Sequence, residues 1–295
     1  MSTLRELKSR IGSVASTQKT TSAMKMISSA KMRKATGNLQ RLSPYRSMVQ
    51  SVISHLLTTD QEFSSPLIAQ RTVGRVALVV FGSDDGLCGA FNINIFKQLL
   101  ASIDDCRREW GNEVKVTIIP IGKKLTKASA KIVDNHITVE PVSTLDTRSE
   151  SQRLHDFTKL QCDRFLSGEF DRVDVLYMHF VSTARQRFSR EQLLPVSYES
   201  LAEQVDARTA AQPCLFEPDA NAIFGSVLPL HLRAMMQEVF TESAASEQAS
   251  RVMAMQTASD NAKELLDELN LEYNKLRQDG ITTELLDILG GQVQR

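Results

Sequence analysis

The chain has 295 residues, and its 35 Lys and Arg balance 35 Asp and Glu, so its formal net charge is zero. This balance excludes a protein that is basic throughout, as many nucleic-acid binders are, and a content of 42% hydrophobic and 24% charged residues is typical of a folded protein. The longest uninterrupted apolar run, Val76 to Phe81, has six residues, against the roughly 20 that a membrane-spanning helix requires.

Residues 1–60 predict one long basic helix. Apolar or small side chains recur there at alternating steps of three and four residues, a spacing that keeps one stripe facing a partner helix. The stripe consists of Leu4, Leu7, Ile11, Val14, Gln18, Thr21, Met24, Ile27 and Ala30. Ten Lys and Arg residues stand among residues 1–59 beside a single acid, Glu6.

Residues 70–212 predict a doubly wound, Rossmann-like α/β domain, in which buried strands alternate with helices. The predicted strands are Arg75–Gly82, Val114–Ile121 and Val173–Phe180, and the predicted helices are Asn92–Glu109, Lys123–Ile132 and Ser149–Leu166. Residues 58–73 and 207–218 are expected to join this domain to the helical ends of the chain.

The turn at residues 82–92, GSDDGLCGAFN, lies where an α/β domain would bind a nucleotide. Its glycines match neither the dinucleotide nor the phosphate-loop spacing. Cys88 could be a nucleophile at this turn, but no histidine stands out as its base, and a small Cys packed beneath a tight turn is the favoured interpretation. Asp84 and Asp85 could bind a divalent cation, although such acids more often form turns and cap the next helix. We expect no catalytic residue, cofactor or metal.

Residues 218–295 predict a second long helix, from about Leu230 to Leu289, because Pro229 is the last proline. Its expected stripe is Ala258, Ala262, Leu265, Leu269, Glu272 and Leu276. Eleven acids face five Lys and Arg within residues 236–295. Residues 241–260 are rich in Ala, Ser and Thr, which bury little area at about 25 cal/mol per Å². We therefore expect this stretch to be supported by more than a partner helix.

A helix of this length is not stable through intrinsic propensity alone, so its stripe must be covered. The two ends of the chain carry matching stripes and opposite charge. The sequence therefore predicts an antiparallel coiled coil of the N- and C-terminal helices beside the central α/β domain.

Three motifs resemble the gamma subunit of F-type ATP synthases. Residues 11–33 read IGSVASTQKTTSAMKMISSAKMR, residues 83–92 read SDDGLCGAFN, and the third motif comprises ESAASEQASRVMAM at 242–255 with NAKELLDELNLEYNKLRQDGITTE at 261–284. The likeness is dense at both ends and thin in the centre. Asp85 replaces the Arg that is usual in the middle loop, and Val252 stands where Met is common.

The resemblance implies a central stalk, or rotor shaft, that couples proton flow through a membrane ring to ATP synthesis or hydrolysis. The implied partners are the alpha and beta subunits of the catalytic hexamer, an epsilon-type small subunit and the membrane c-ring. The implied location is peripheral, on the cytoplasmic side of the cell inner membrane. Such a subunit would perform no bond chemistry and hold no nucleotide.

The same resemblance implies which residues contact other subunits. Arg251 and Gln278 match residues that engage a loop of the catalytic subunit, and a basic replacement at Met24 would introduce an unwanted ion pair. The full set adds Lys25, Thr282 and an apolar tip that would run in a hydrophobic sleeve: Leu285, Leu286, Ile288 and Leu289. The alternatives are ordinary solvated helix surface, and, for the tip, packing against the N-terminal helix.

Two other classes of function stay open from the residues alone. An α/β thiol enzyme would use Cys88 and would show thiol-dependent activity in the isolated chain. A binder of nucleic acid or anionic membrane would use the basic N-terminal helix, and its binding would weaken with salt.

Overall fold

The computed structural model describes residues 3–57, 63, 65–132, 134–147, 149–197, 217 and 219–292. Most of the expected exit link at 207–218, with Cys214, lies outside the described residues. The helices and strands in chain order are α1 Leu4–Leu57, β1 Arg75–Phe81, α2 Phe91–Trp110, β2 Lys115–Ile121, α3 Lys123–Ser129, β3 Ile137–Val139, α4 Ser151–Leu166, β4 Arg172–Phe180, β5 Gln186–Leu194 and α5 Ala220–Gln292.

The chain divides into two compact units. One unit combines Met1–Ser29 with Arg251–Arg295, and the other comprises Ala30–Ser250. We call them the terminal unit and the central unit. The boundary falls within both long helices, so α1 and α5 each contribute to both units.

The central unit is built on a five-stranded sheet with the strand order β3-β2-β1-β4-β5. Strands β1 to β4 are parallel, and β5 pairs antiparallel with β4. In β1 every residue after Arg75 is buried, because helices cover both faces of the sheet.

Each face of the sheet has its own apolar core. On one face, Ile95 and Leu99 of α2 pack with Val76 and Leu78 of β1. On the other face, the core joins β1 to helix α4 and to the central-unit parts of α1 and α5. Its members include Ala77, Val79, Leu154, Phe157, Ile53, Leu56, Phe224 and Leu228. The doubly wound arrangement predicted from the sequence is therefore confirmed.

Within the central unit, α1 and α5 run antiparallel. Arg46 of α1 forms a salt bridge with Glu238 of α5. A surface cavity brings Lys31 of α1 beside Ala244 of α5, whereas a second one brings Tyr45 beside Leu230. Residue numbers thus fall along α5 as they rise along α1, as expected from the charge and the stripes.

The small-residue stretch of α5 has the additional support that its composition predicts. From residue 241 to 250 every side chain is buried or half-buried. Glu242 Oε2 lies 2.6 Å from Nδ1 of His179 on β4, and the Ser250 hydroxyl donates a hydrogen bond of 3.1 Å to Gln186 on β5. This part of α5 therefore packs against the sheet as well as against α1.

Three features differ from the sequence predictions. Helix α5 begins at Ala220 and contains Pro229, so the predicted start after Pro229 is wrong. A proline inside a helix costs about 3 kcal/mol, but the neighbouring Leu228 and Leu232 are buried in the core, and their packing compensates. Strands β3 and β5 were not predicted, because β3 has three residues and β5 is largely polar.

Gly122 is a position of the central unit where a neighbouring backbone segment leaves no room for a side chain. Its φ is +107°, and an added Cβ would stand 2.9 Å from the backbone of Gly82 and Ser83. We expect Gly122→Ala to lower the free energy of unfolding by about 2 kcal/mol or more, measured by urea denaturation. Gly225→Ala is the matched control: nothing lies within 4 Å of its added Cβ, so a gain of about 0.5–1 kcal/mol is expected. Equal effects of the two substitutions would contradict this explanation.

His231 of α5 makes the stability of the protein depend on pH. Its side chain is buried, and its Nδ1 has no hydrogen-bond partner within the described part of the chain. Burial, with a smaller effect of the Arg46 charge, lowers its pKa from 6.5 to about 4. The unfolded chain therefore takes up a proton first as pH falls below 6.5, so acid favours unfolding. We expect a loss of about 3 kcal/mol between pH 6.5 and 4, and His231→Gln should remove most of this slope in urea titrations. An unchanged slope would exclude His231 as its source.

Candidate subunit-interaction surface

From residue 259 to residue 280 the apolar stripe of α5 follows a strict alternation of three and four residues. The buried or half-buried positions there are Ser259, Ala262, Leu266, Leu269, Tyr273, Leu276 and Gly280. In residues 251–258 burial is broader, and it includes the predicted position Ala258. This spacing is that of a coiled-coil seam. Leu265 and Glu272, which were predicted to face the partner helix, are exposed. Leu265 and Leu266 are adjacent and identical, so their apolar character could not decide which of them faces inward.

The stripe of α1 agrees with the prediction from Leu7 to Met24 and then shifts by one residue, whereas Leu4, the first predicted position, is 38% exposed. Leu7 is fully buried, and the positions from Ile11 to Met24 are half-buried. Beyond them Ser28 is buried, whereas Ile27 is 56% exposed. A serine rather than an isoleucine therefore continues the seam, and two consecutive large apolar side chains, Met26 and Ile27, face solvent.

The structure places the predicted contact residues of the terminal unit in different environments. Met24 and Lys25 are half-buried, and Gln278 and Thr282 are exposed. The Thr282 hydroxyl donates a hydrogen bond of 2.9 Å to the backbone carbonyl of Gln278. Arg251, in contrast, is only 6% exposed. A cation buried to this degree is not displayed to a partner in the way that the Gln278 amide is.

The C-terminal end of α5 exposes apolar side chains. Leu285, Leu286 and Ile288 are 55%, 63% and 63% exposed, so these three do not pack against the N-terminal helix. The side chain of Leu289 lies outside the described residues. Clustered exposed apolar residues on a soluble protein usually mark a contact with a partner.

The two helices of the terminal unit carry opposite charge. Residues 3–29 have five Lys and Arg beside Glu6, and residues 251–292 have eight acids beside four Lys and Arg. A partner that surrounds this unit would therefore meet a basic side and an acidic side.

At the turn of residues 82–92, Cys88 contacts a hydroxyl, an amide and a backbone carbonyl. Cys88 is buried, and its Sγ lies 3.3 Å from Asn92 Nδ2 and 3.7 Å from Ser83 Oγ. Asn92 in turn donates to Ser83 Oγ at 2.7 Å. The thiol is therefore part of the packing of the turn, as the favoured interpretation of the sequence has it.

Asp84 holds the turn to two neighbouring segments. Its Oδ1 accepts a 3.1 Å bond from the backbone N–H of Lys123, and its Oδ2 accepts bonds from Thr147, the shorter being 2.6 Å. Burial opposes ionisation, but these hydrogen bonds outweigh it and lower the pKa of Asp84. The aspartate thus caps α3, and the expectation that it caps the next helix, α2, is wrong.

Among the residues that the structure describes, no three His, Cys, Asp or Glu side chains are grouped so that they could hold a metal ion. No described helix is both long enough and apolar enough to cross a membrane.

Comparison with known proteins gives consistent matches over the whole chain. A family model described as ATP synthase matches residues 3–293. A protein of Bacteroides thetaiotaomicron named ATP synthase gamma chain is 38% identical over 305 residues, covering 100% of both chains. A protein of the same name from Bacteroides fragilis is 38% identical over 296 residues, covering 99% of this chain and 100% of its own.

Solved structures share the fold at lower identity. A chain of the Euglena gracilis mitochondrial ATP synthase, solved with OSCP, F1 and the c-ring in rotational state 3, has a TM-score of 0.65 at 20% identity and covers 98% of this chain and 93% of its own. A chain of the Tetrahymena thermophila mitochondrial ATP synthase central stalk and c-ring has a TM-score of 0.58 at 21% identity, covering 81% and 99%.

The stripe of α5 can be tested by truncating one leucine on it and one beside it. Leu269 is 4% exposed and Leu271 is 73% exposed. We expect Leu269→Ala to destabilise the terminal unit by about 2–3 kcal/mol, and Leu271→Ala to change its stability by less than about 0.5 kcal/mol. Hydrogen exchange of the amides of residues 252–280 in the full chain would measure both effects. A larger effect of Leu271→Ala would show that the seam lies on the other side of the helix.

Proposed function

The chain belongs to the ATP synthase gamma-chain family, and from this premise we propose that it acts as the rotating shaft of the enzyme. The gamma-subunit role follows from the family model, which spans nearly the whole chain, and from full-length relatives at 38% identity. The chain is therefore a subunit of a membrane-associated complex, to which it contributes as a peripheral part.

The observation that carries the rotary mechanism is the asymmetry of the terminal unit. It combines the two ends of the chain, of which the part in α1 is basic and the part in α5 is acidic. We propose that the alpha and beta subunits of the catalytic hexamer surround this unit. Each of three catalytic sites then meets a different side at any moment, and turning the unit biases the sites in succession between conformations of different nucleotide affinity.

The exposed charges suit a contact that must be made and broken repeatedly. An exposed ion pair contributes about 0–1 kcal/mol, which is weak enough to exchange as the unit turns. We propose that Gln278 and Thr282 engage a loop of the catalytic subunit, and that Met24 and Lys25 on α1 contribute a separate contact with the hexamer. For Arg251 the same role requires a partner that reaches a nearly buried guanidinium.

We propose further that Leu285, Leu286, Ile288 and Leu289 run in a hydrophobic sleeve of the hexamer. The support is the exposure of the three whose side chains are described. An apolar contact without directional hydrogen bonds lets the end of the helix turn while water stays excluded.

The remaining roles follow the division of the sequence into residues 1–60, 70–212 and 218–295. We propose that the central α/β domain meets the c-ring and an epsilon-type small subunit, on the cytoplasmic side of the cell inner membrane. The subunit performs no bond chemistry in this proposal. The packing of Cys88 between Ser83 and Asn92 fits a structural role for this thiol.

The proposal predicts that ATP turnover of the reconstituted complex depends on the C-terminal part of α5. Deletion of residues 265–295 should lower the turnover of a hexamer assembled with this chain and should abolish its coupling to proton transport. Turnover and proton pumping in membrane vesicles measure the two effects. A hexamer indifferent to the deletion would overturn the shaft role.

A single substitution gives a sharper test of the proposed contact. Gln278→Ala removes one exposed hydrogen-bonding amide, and the loss of about 0.5–1.5 kcal/mol corresponds to about a two- to tenfold fall in turnover. Asp279→Ala is the control, because this exposed neighbour points to another side of the helix. Equal effects of the two would place the contact elsewhere.

A further inference from the structure

A cavity of about 410 Å³ opens where helices α1, α4 and α5 meet in the central unit. Its volume lies in the range of ordinary small-ligand sites. The lining comes from three different helices, so its shape depends on the fold of the central unit and not on a single mobile segment.

Two cations in this cavity lack the partners that other arginines of the unit have. Arg41 of α1 and Arg233 of α5 both line it and are exposed. Neither forms an ion pair or a side-chain hydrogen bond with any residue that the structure describes. Three half-buried arginines of the unit are paired instead: Arg164 with Glu140 and Glu169, and Arg172 and Arg190 with Asp174.

The rest of the lining carries no negative charge. His155 of α4 faces the same cavity, and none of the described lining residues is an Asp or Glu. Two guanidinium groups that face one cavity without a carboxylate repel each other and attract an anion. Arginine is the side chain whose planar fork best matches a phosphate.

The cavity also has a part that suits the body of a ligand. Leu42, Leu230 and the ring of Tyr45 give it an apolar wall. Beside them the side-chain oxygen of Gln237 is buried and has no hydrogen-bond partner among the residues that the structure describes. A buried acceptor of this kind is costly unless it is satisfied by a donor such as a ligand N–H.

From these observations we infer that the cavity binds an organic phosphate monoester, with its phosphate on Arg41 and Arg233 and its body against Tyr45 and Leu230. A free phosphate would leave the apolar wall and the Gln237 oxygen uncovered. The same chemistry is offered by a nucleoside monophosphate and by a lipid with a phosphate headgroup. The site is independent of the shaft role and of ATP turnover.

Calorimetric titration of the full-length chain with three probes tests the site: AMP, dihexanoyl phosphatidic acid and inorganic phosphate. We expect one of the two organic probes to bind with one molecule per chain and a Kd at least about tenfold below that of inorganic phosphate. AMP binding would identify a nucleotide-like ligand, and phosphatidic acid binding a lipid headgroup. Failure of both organic probes to bind overturns the proposal.

Substitutions of the two arginines test whether they bind the phosphate group. Arg41→Gln and Arg233→Gln should each weaken binding of the preferred probe about tenfold or more, because each removes a charge-assisted contact. Arg233→Lys should give a smaller loss, since it keeps the charge but not the planar fork. Arg185→Gln is the control, because Arg185 is exposed and lies outside the cavity lining. Equal binding by Arg185→Gln and Arg233→Gln would overturn the site.

A final experiment tests the site in the assembled complex. The same probe should bind to the complex with the same dependence on Arg233, and ATP turnover without the probe should be unchanged by Arg233→Gln. If binding to the free chain disappears in the complex because an acidic segment of another subunit fills the cavity, the small-molecule site is refuted.

Discussion

A long helix in water must have its apolar stripe covered, and the architecture of this chain depends on that requirement. Helix α1 has 54 residues and helix α5 has 73. Intrinsic helix propensity alone does not stabilise helices of this length in water. Each helix meets the requirement differently along its length. In the terminal unit α5 has a narrow seam, whereas from residue 241 to 250 it is buried on nearly every side by α1 and the sheet. The part of α5 in the terminal unit therefore leaves most of its surface open to partners, whereas residues 241–250 are enclosed by the fold.

The fold could be predicted from the sequence where burial leaves a simple pattern. Strand β1 is an uninterrupted apolar run because both its faces are covered, and β2 and β4 follow the same rule. Strand β5 escaped prediction because it lies at the edge of the sheet and carries charged residues such as Arg190 and Glu191. The start of α5 escaped because tertiary packing around Leu228 outweighs the local effect of Pro229. In both cases the deciding information lies in neighbours that are distant in sequence.

Prediction of the candidate site from the sequence was limited in the same way, because the deciding information lies in the tertiary structure. Periodicity identified the stripe of α5, but its phase depended on the choice between Leu265 and Leu266, which composition could not make. Exposure then separated residues that the resemblance had grouped together: Gln278 faces solvent, whereas Arg251 is nearly buried. The resemblance to a family indicates which residues are candidates for contact with another subunit, and the structure shows how exposed each of them is. The paired exposure of Met26 and Ile27 carried no signal in the sequence, because a one-residue shift in the seam produces it.

The side-chain bonds between α5 and the sheet have a mechanical consequence. Glu242 is bonded to β4 and Ser250 to β5, and these positions lie eight residues, or about 12 Å, apart along the helix. Two attachment points at that separation resist torsion, because twisting the helix against the sheet would load both bonds in shear at once. A protein that must pass angular strain from one end to the other gains stiffness from such a double attachment without a larger apolar core.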